Sequence, residues 1–531
     1  MNPLDHRTME EKEKIARAAG VVGAATLLSR VFGFIRDMVV AQLFGAGNAT
    51  DAFFVAFRIP NLLRRLVGEG ALTASFIPIY SEYLIQHSQE ESNRFVQISF
   101  TLLTISLSAI TLLGIAFSPW IVKAIAYGFS ANPEKFGLTV LLNRLMFPYI
   151  FFISLVALSM GVLNSLRHFS APAFSPVILN LSIIACALLG FPYLDEPILS
   201  LALGVLIGGM GQLLFQIPFL YRKGIVIRWR VDWSHPGVRR VLILMGPSVL
   251  GLAVSQLNVL VNTLLASYLP QGSVSYLYYA DRLLEFPMGI FAIAIATAVL
   301  PSLSDHAARK DWSALRDTMV FALRLTFFLI LPAMAGLIIL RNPIIQILFQ
   351  RGAFDAHSTT MTAQALFFYA LGLIAFAGIR IVVPAFYALQ DTKTPVKIAG
   401  WALLANLGFG ILLMSPLKHG GLALAVSLSA GLNFILLMIF LRKKIGSFGG
   451  TVIWSSFFKN LLAAGVMSLV VHWVISFIAW EKEGVTFEKI IGLLFALSAG
   501  AIIYWAACRF MGCEEAKTIL NLFKRKIKTL R

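Results

Sequence analysis

Apolar runs fill almost the whole chain and are separated by short polar connections. Fourteen can be traced, near 21–44, 52–83, 95–122, 138–165, 171–192, 197–221, 240–267, 274–303, 315–340, 360–389, 395–415, 420–441, 453–478 and 487–511. A helix of about 20 apolar residues crosses a hydrocarbon core of ~30 Å. The pattern therefore predicts an all-α integral membrane protein with fourteen transmembrane helices.

Charge orients these spans. Only 13% of residues are charged, with 44 Lys+Arg against 26 Asp+Glu and a formal net charge of +18. A nucleic-acid partner is a poor explanation, because the basic residues sit in short connections. Arg94, Arg167, the run Arg222–Arg240, Arg309–Arg316, Lys393 and Arg442–Lys444 share one side, whereas the other side has only Lys123, Lys135, Arg341, Arg351, Lys418 and Lys482. By the positive-inside rule both termini are expected in the cytoplasm. The first twenty residues carry both signs of charge, and the following apolar run is broken by Arg30 and Arg36, unlike a cleavable signal peptide.

Cys186, Cys508 and Cys513 form no C-x-x-C and read as reduced core residues; the eight histidines show no metal-ligand spacing. No metal or cofactor is expected. The chain has no P-loop, nucleotide fingerprint or catalytic triad pattern, which argues against an ATP-driven pump and against an enzyme.

An internal repeat emerges at an offset of 223 residues. Ala71–Glu82 falls on Ala294–Asp305, Leu166–Pro172 on Leu389–Pro395, and Leu199–Gly204 on Leu422–Ser427. The repeat covers six spans, an even number, so both copies enter the membrane from the same side. The expected domains are a cytoplasmic segment 1–20, an N-lobe 21–222, a basic linker 223–243, a C-lobe 244–445, a C-terminal helix pair 446–511 and a basic tail 512–531. Two parallel lobes facing a central cavity suit alternating access.

Charges inside these apolar runs carry the chemistry. Arg30, Arg36, Arg58, Arg64 and Arg65 lie in the first two spans. Arginine at mid-bilayer costs ~3 kcal/mol on insertion scales, so such residues face protein or a water-filled cavity. The second half has its own island with Asp281, Arg282 and Glu285, where Asp281 and Glu285 share a helix face and Arg282 is spaced to pair with Glu285. Structural pairing or snorkelling is the favoured reading for Arg65 with Glu69 and for Asp37 beside Arg36. For Arg30, Arg36, Arg64 and Arg282 a cavity is favoured, because arginines outnumber acids there. Guanidinium forks bind phosphate oxygens in pairs, which makes phosphate the preferred ligand.

Pro60, Gly68 and Gly70, and likewise Pro287 and Gly289, interrupt the same spans, either as hinges lining a cavity or as the ordinary enrichment of these residues in membrane helices. Gly204 and Gly208 have G-x-x-x-G spacing and predict close helix packing. Asn258, Asn262 and Thr263 are assigned to hydrogen bonding across helices rather than to a cation. Arg380 has two open readings, cavity charge or packing pair.

The stretches SRVFGFIRD, FGAGNATDAFFVAFRIPNLLRRLVGEGA, SVSYLYYADRLLEFPMG and DTKTPVKI resemble the signatures of the MurJ/MviN lipid II flippases, in the multidrug/oligosaccharidyl-lipid/polysaccharide exporter superfamily. The resemblance runs from about residue 20 to 510. It implies two six-helix lobes with a C-terminal pair that grooves a prenyl tail. It also implies transfer of undecaprenyl-pyrophosphate-linked disaccharide-pentapeptide to the outer leaflet, for peptidoglycan synthesis and cell shape. The family's pyrophosphate-binding arginines match Arg30, Arg36, Arg64 and Arg282. Asp37, Asp51, Arg58, Asn61, Arg65, Glu69, Asp281 and Glu285 are supporting cavity positions.

The expected partners are lipid II, membrane lipids and cell-wall machinery, with the chain itself a monomer of the bacterial inner membrane. The coupling agent is Na+, H+ or the membrane potential; span seven, with Asn258 and Asn262, lacks an acidic ligand for sodium. The alternative is export of drugs or of another polyprenyl-linked glycan. A drug exporter would favour acids and aromatics over arginines.

Overall fold

The computed structural model describes residues 3–480, 484, 486–518 and 520–521. Lys482, the basic tail from residue 522 onward and the side chains of residues 1–19 and of Glu69 lie outside the described residues. Every regular element among the described residues is helical.

Two compact units divide the chain after Gln271. The first contains α1 (Pro3–Phe44), α2 (Asn48–Leu63), a π-helical segment (Arg64–Leu72), α3 (Thr73–Gln86), α4 (Gln89–Ala116), α5 (Ser118–Ile125), a 3₁₀ turn (Tyr127–Ala131), α6 (Pro133–Met146), α7 (Tyr149–Ser165), α8 (Ser170–Gly190), α9 (Leu199–Arg222) and α10 (Pro236–Ser267). The second contains α11 (Ser273–Pro287), a π-helical segment (Met288–Ala292), α12 (Ile293–Ala308), α13 (Trp312–Ile339), α14 (Arg341–Phe349), α15 (Ala356–Leu371), α16 (Leu373–Ala388), α17 (Lys393–Ile445), α18 (Gly450–Ser476) and α19 (Phe487–Phe510). Although the sequence repeat counts α10 with the second half, it packs in the first unit, against α3 and the π-helical segment.

Among the described residues, nine helical stretches are long and apolar enough to cross a membrane, or ten if α15 and α16, bent by 43°, make one span. One of the nine is α17, whose 53 residues include a non-helical Lys418 (φ 50, ψ −131) just after Pro416. At ~1.5 Å per residue that element is far longer than one bilayer crossing. The break is a tight reversal, since a Cβ on Gly421 would collide with the Leu413 carbonyl.

The 223-residue offset reappears in the helix ends. Ser88 caps α4 by accepting from the Glu91 amide (3.2 Å), and Asp311 caps α13 by accepting from the Ala314 amide (3.0 Å). Asn132 caps α6 through the Lys135 amide (3.1 Å), as Asp355 caps α15 through the Ser358 amide (2.7 Å). Each side-chain oxygen satisfies an amide that the helix leaves without a partner.

Helices α7 and α16 end alike too. Arg167 (φ 57) and Gln390 (φ 56) are both left-handed. The next residue's amide reaches back five residues in each, His168 to Leu163 (2.8 Å) and Asp391 to Phe386 (2.9 Å), which is a Schellman closure.

Both halves also break one span at the same place, around Pro148 before α7 and at Gly372 before α16. At Gly372 the α17 hydroxyl of Ser427 donates to the Phe368 carbonyl (2.7 Å), satisfying a group that the bend releases. Pro60 and Pro287 do not cut their helices. Each is followed by a π-helical widening, so the interruption expected from proline and glycine takes that form.

Gly204 and Gly208 bring α9 onto α8 as their spacing predicts. A Cβ on Gly204 would lie 2.7 Å from the Ile183 Cα, and one on Gly208 3.1 Å from the Leu179 Cα. All three cysteines are free, Cys508 and Cys513 buried and Cys186 half-buried.

Candidate anion-binding site

In the first unit Arg36 of α1 is ordered by its neighbour Asp37 and by α8. Asp37 is buried, and its Oδ1 accepts from Arg36 Nε (3.0 Å) and Nη2 (2.7 Å). Arg36 Nη1 donates to Asn180 Oδ1 of α8 (3.1 Å), and Asn180 Nδ2 donates to the Ser29 carbonyl of α1 (3.1 Å). One asparagine thus clamps the helix backbone and the guanidinium together. Arg36 keeps 12% of its side chain accessible, and Arg30 is exposed.

Just past α2, Arg64 opens the π-helical segment and donates through Nε (3.0 Å) and Nη2 (2.9 Å) to Asn61 Oδ1, one turn earlier. A neutral acceptor aims the fork without cancelling its charge. Arg58 is half-buried, and Arg65 is exposed. Asp51, at the start of α2, is buried against Lys135 at the start of α6, with Nζ 2.8 Å from Oδ2. Lys135 Nζ also sits 4.1 Å from the centre of the Phe129 ring.

The second unit has a simpler arrangement. Arg282 Nη1 donates to Glu285 Oε2 (2.7 Å), the i,i+3 pair anticipated from spacing, and the two side chains are 30% and 53% exposed. Asp281 is exposed, as is Arg380. Asn262 Nδ2 donates to Asn258 Oδ1 (3.3 Å), one turn apart on α10.

Described couplings thus hold seven of the predicted residues, Arg36 with Asp37, Arg64 with Asn61, Asp51 with Lys135, and Arg282 with Glu285, and leave Arg30, Arg58, Arg65 and Asp281 outside them. Sequence reasoning missed two partners. Lys135 reads from sequence as a loop charge, yet it is 7% exposed. Asn180 lies in the apolar run SPVILNLSII, and a lone amide at mid-span was the available signal. Arg324, inside the apolar run 315–340, bonds Glu515 Oε1 (2.6 Å) and Glu514 Oε2 (2.8 Å), just beyond α19. Ser456 of α18 donates to the same Glu515 oxygen (2.7 Å), tying α13, α18 and the chain after α19 together.

The second unit also holds an apolar cavity of about 400 Å³, lined by Phe327, Phe434, Met438, Ile453, Trp454 and Phe457. An adjoining cavity of about 430 Å³ shares Ser447 and Phe448 with it and carries Arg316 and Arg324.

Long apolar helices carrying arginines define the class as a helical integral membrane protein. The solved inward-facing structure of a multidrug-resistance MATE transporter of the MOP superfamily has this fold, with a TM-score of 0.63 at 15% identity over 80% of the chain and 98% of that structure. A solved lipid II flippase MurJ in an inward closed conformation gives 0.77 at 28% identity, covering 92% of the chain and 99% of that structure.

The family model described as lipid II flippase MurJ matches residues 40–494. The lipid II flippase MurJ of Burkholderia cenocepacia is 41% identical over 521 residues, 96% of this chain and 99% of that protein. A probable lipid II flippase MurJ of Haemophilus influenzae is 39% identical, over 92% of this chain and 98% of its own length. The chain belongs to the MurJ lipid II flippase family, a family of transporters.

Proposed function

We propose that this chain flips lipid II from the inner to the outer leaflet of the bacterial cytoplasmic membrane, as a multi-pass protein serving peptidoglycan synthesis. Near full-length similarity to a named lipid II flippase carries the reading. The arginines supply the physics. Translocation must carry a pyrophosphate and a polar headgroup past hydrocarbon, and guanidinium forks offset the loss of water around the phosphates.

In this reading Arg30, Arg36 and Arg64 of the first unit and Arg282 of the second engage the pyrophosphate. Asn61 and Asn180 aim two of the forks, so less ordering entropy is lost when the ligand arrives. The remaining polar positions, Asp37, Asp51, Arg58, Arg65, Glu69, Asp281 and Glu285, support the site. The apolar cavity on the second unit accepts part of the prenyl tail.

The chain crosses the membrane fourteen times in this reading: α17 crosses twice, and α1, the α2–α3 run and α10 add crossings beyond the long apolar helices. Two six-helix lobes and a C-terminal pair result, with both termini cytoplasmic. Alternating access moves the headgroup, and no bond is made or broken. The membrane potential resets the empty cationic site, each charge being worth ~2.3 kcal/mol per 100 mV.

Complementation of cells depleted of their own lipid II flippase tests this. Wild type restores growth, while Arg30→Ala, Arg36→Ala, Arg64→Ala and Arg282→Ala at matched membrane levels do not. Failure of well-expressed wild type would point to another polyprenyl-linked substrate. Rescue by all four variants would leave the flippase and remove the arginine mechanism.

A further inference from the structure

The connection between α9 and α10 has a shape that its sequence did not suggest. It has no regular structure from Ile225 to Val231, yet it is tied along α4. Asn93 Nδ2 donates to the Gly224 carbonyl (3.3 Å), Gln97 Nε2 to the Val226 carbonyl (2.9 Å), and the Arg230 amide to Thr101 Oγ1 (3.0 Å). The chain then turns back, with Asp232 3.8 Å from Arg94 and His235 3.4 Å from Glu91. The connection therefore runs in along one helix and out again beside it.

Depth follows from helix geometry. The last 20 residues of α4, 97–116, already span ~30 Å of hydrocarbon. Thr101 lies one turn further along α4 than Gln97, so the tip near Arg230 sits ~6 Å deeper along that helix than the tie at Val226, a span that interfacial segments cover.

The tip's side chains suit that depth. Ile225 is buried and pins the segment, while Trp229, Val231 and Trp233 are 74%, 61% and 61% exposed. Arg228 and Arg230 are exposed beside them. Asp232, the acid in this stretch, is engaged by Ser234 and Arg94, and the Ser234 hydrogen bonds hold its carboxyl below the usual range. Tryptophan prefers the headgroup region, and arginine can bridge lipid phosphates.

We infer that the 224–235 connection is an interfacial anchor that inserts Trp229 and Trp233 into the headgroup layer and binds anionic phospholipid through Arg228 and Arg230. Charge complementarity selects the occupant: two exposed guanidiniums with no partner among the described residues flank the inserted rings, and each basic residue near an anionic surface contributes about fivefold to partitioning. The inference is independent of which lipid the protein transports.

The full-length protein in nanodiscs tests it. Brominated phospholipids quench tryptophan emission, and the Trp229→Phe/Trp233→Phe variant isolates the contribution of these two rings. That contribution is expected to be quenched by bromines near the headgroup, at least twofold more in discs containing phosphatidylglycerol than in phosphatidylcholine alone. Arg228→Gln/Arg230→Gln should remove the difference between lipids. Emission quenched by aqueous acrylamide but by neither lipid would overturn the anchor. Equal quenching by wild type in both lipids would overturn the anionic recognition, and that comparison needs no mutation.

Discussion

The two units share a skeleton but not a chemistry. Ser88 and Asp311, Asn132 and Asp355, and Arg167 and Gln390 stand 223 residues apart and perform the same backbone task. Chemistry is conserved there because the orphan amides and carbonyls of a helix end demand it. Away from the helix ends the halves diverge. The first buries Asp37 with Arg36 and Asp51 with Lys135. In the second, Ser358 occupies the position matching Lys135, and Ser273–Ala280, the start of α11, carries no charge. Duplicated backbone thus supplies the scaffold, whereas the pairs Arg36–Asp37 and Asp51–Lys135 have no charged counterparts at the matching positions of the second copy. Repeated sequence locates the former and says little about the latter.

The comparison is broken most sharply at Asp51. Replacing it by alanine leaves Lys135 buried with its carboxylate removed, which costs about 3–5 kcal/mol. Asp51→Ala/Lys135→Ser, which gives position 135 the second copy's residue, should lose less than Asp51→Ala alone. Thermal unfolding in detergent with both variants measures this, and equal losses would show that the ion pair is not the source.

A smaller effect is expected where the copies use glycine differently. Gly204 meets the α8 backbone, and its counterpart Ser427 carries the hydroxyl that satisfies Phe368. Gly204→Leu should destabilise the first unit by about 1–3 kcal/mol through overpacking. An unchanged melting temperature would mean that α8 and α9 part freely.

The smallest effect concerns Asp391, the repeat partner of His168. Burial pushes its carboxyl up, but hydrogen bonds from Lys444 and Thr394 outweigh this and hold it well below the ordinary carboxylate range. A depressed folded pKa means the pair's contribution is complete above ~3.9 and is lost as pH falls through the folded value. Lys444 is 42% exposed, so solvent screening limits the contribution to about 1 kcal/mol or less. Asp391→Asn should lower the melting temperature by a small amount that stays constant from pH 5 to 8. A deficit that grows across that window would contradict the assignment.

Much of this was legible beforehand. Runs of apolar residues gave the helices, the G-x-x-x-G spacing gave close packing of α9 without naming α8 as its partner, and i,i+3 spacing gave Arg282 with Glu285. Pro148 and Gly372 were not read as breaks, because proline and glycine are tolerated in membrane helices and only the return hydrogen bond from Ser427 shows where a bend is accommodated. Asn180 and Lys135 escaped for a different reason. Each acts on a partner 144 or 84 residues away, and such pairings follow from helix packing rather than from local pattern.

Lipid II binding by the purified full-length chain tests the central claim most directly. Arg64→Ala and Arg282→Ala should each weaken binding about tenfold or more, the loss of a charge-assisted hydrogen bond being worth about 1.5–3 kcal/mol. Their melting temperatures should stay at the wild-type value. Wild-type affinity in both variants would contradict the claim that these arginines hold the pyrophosphate.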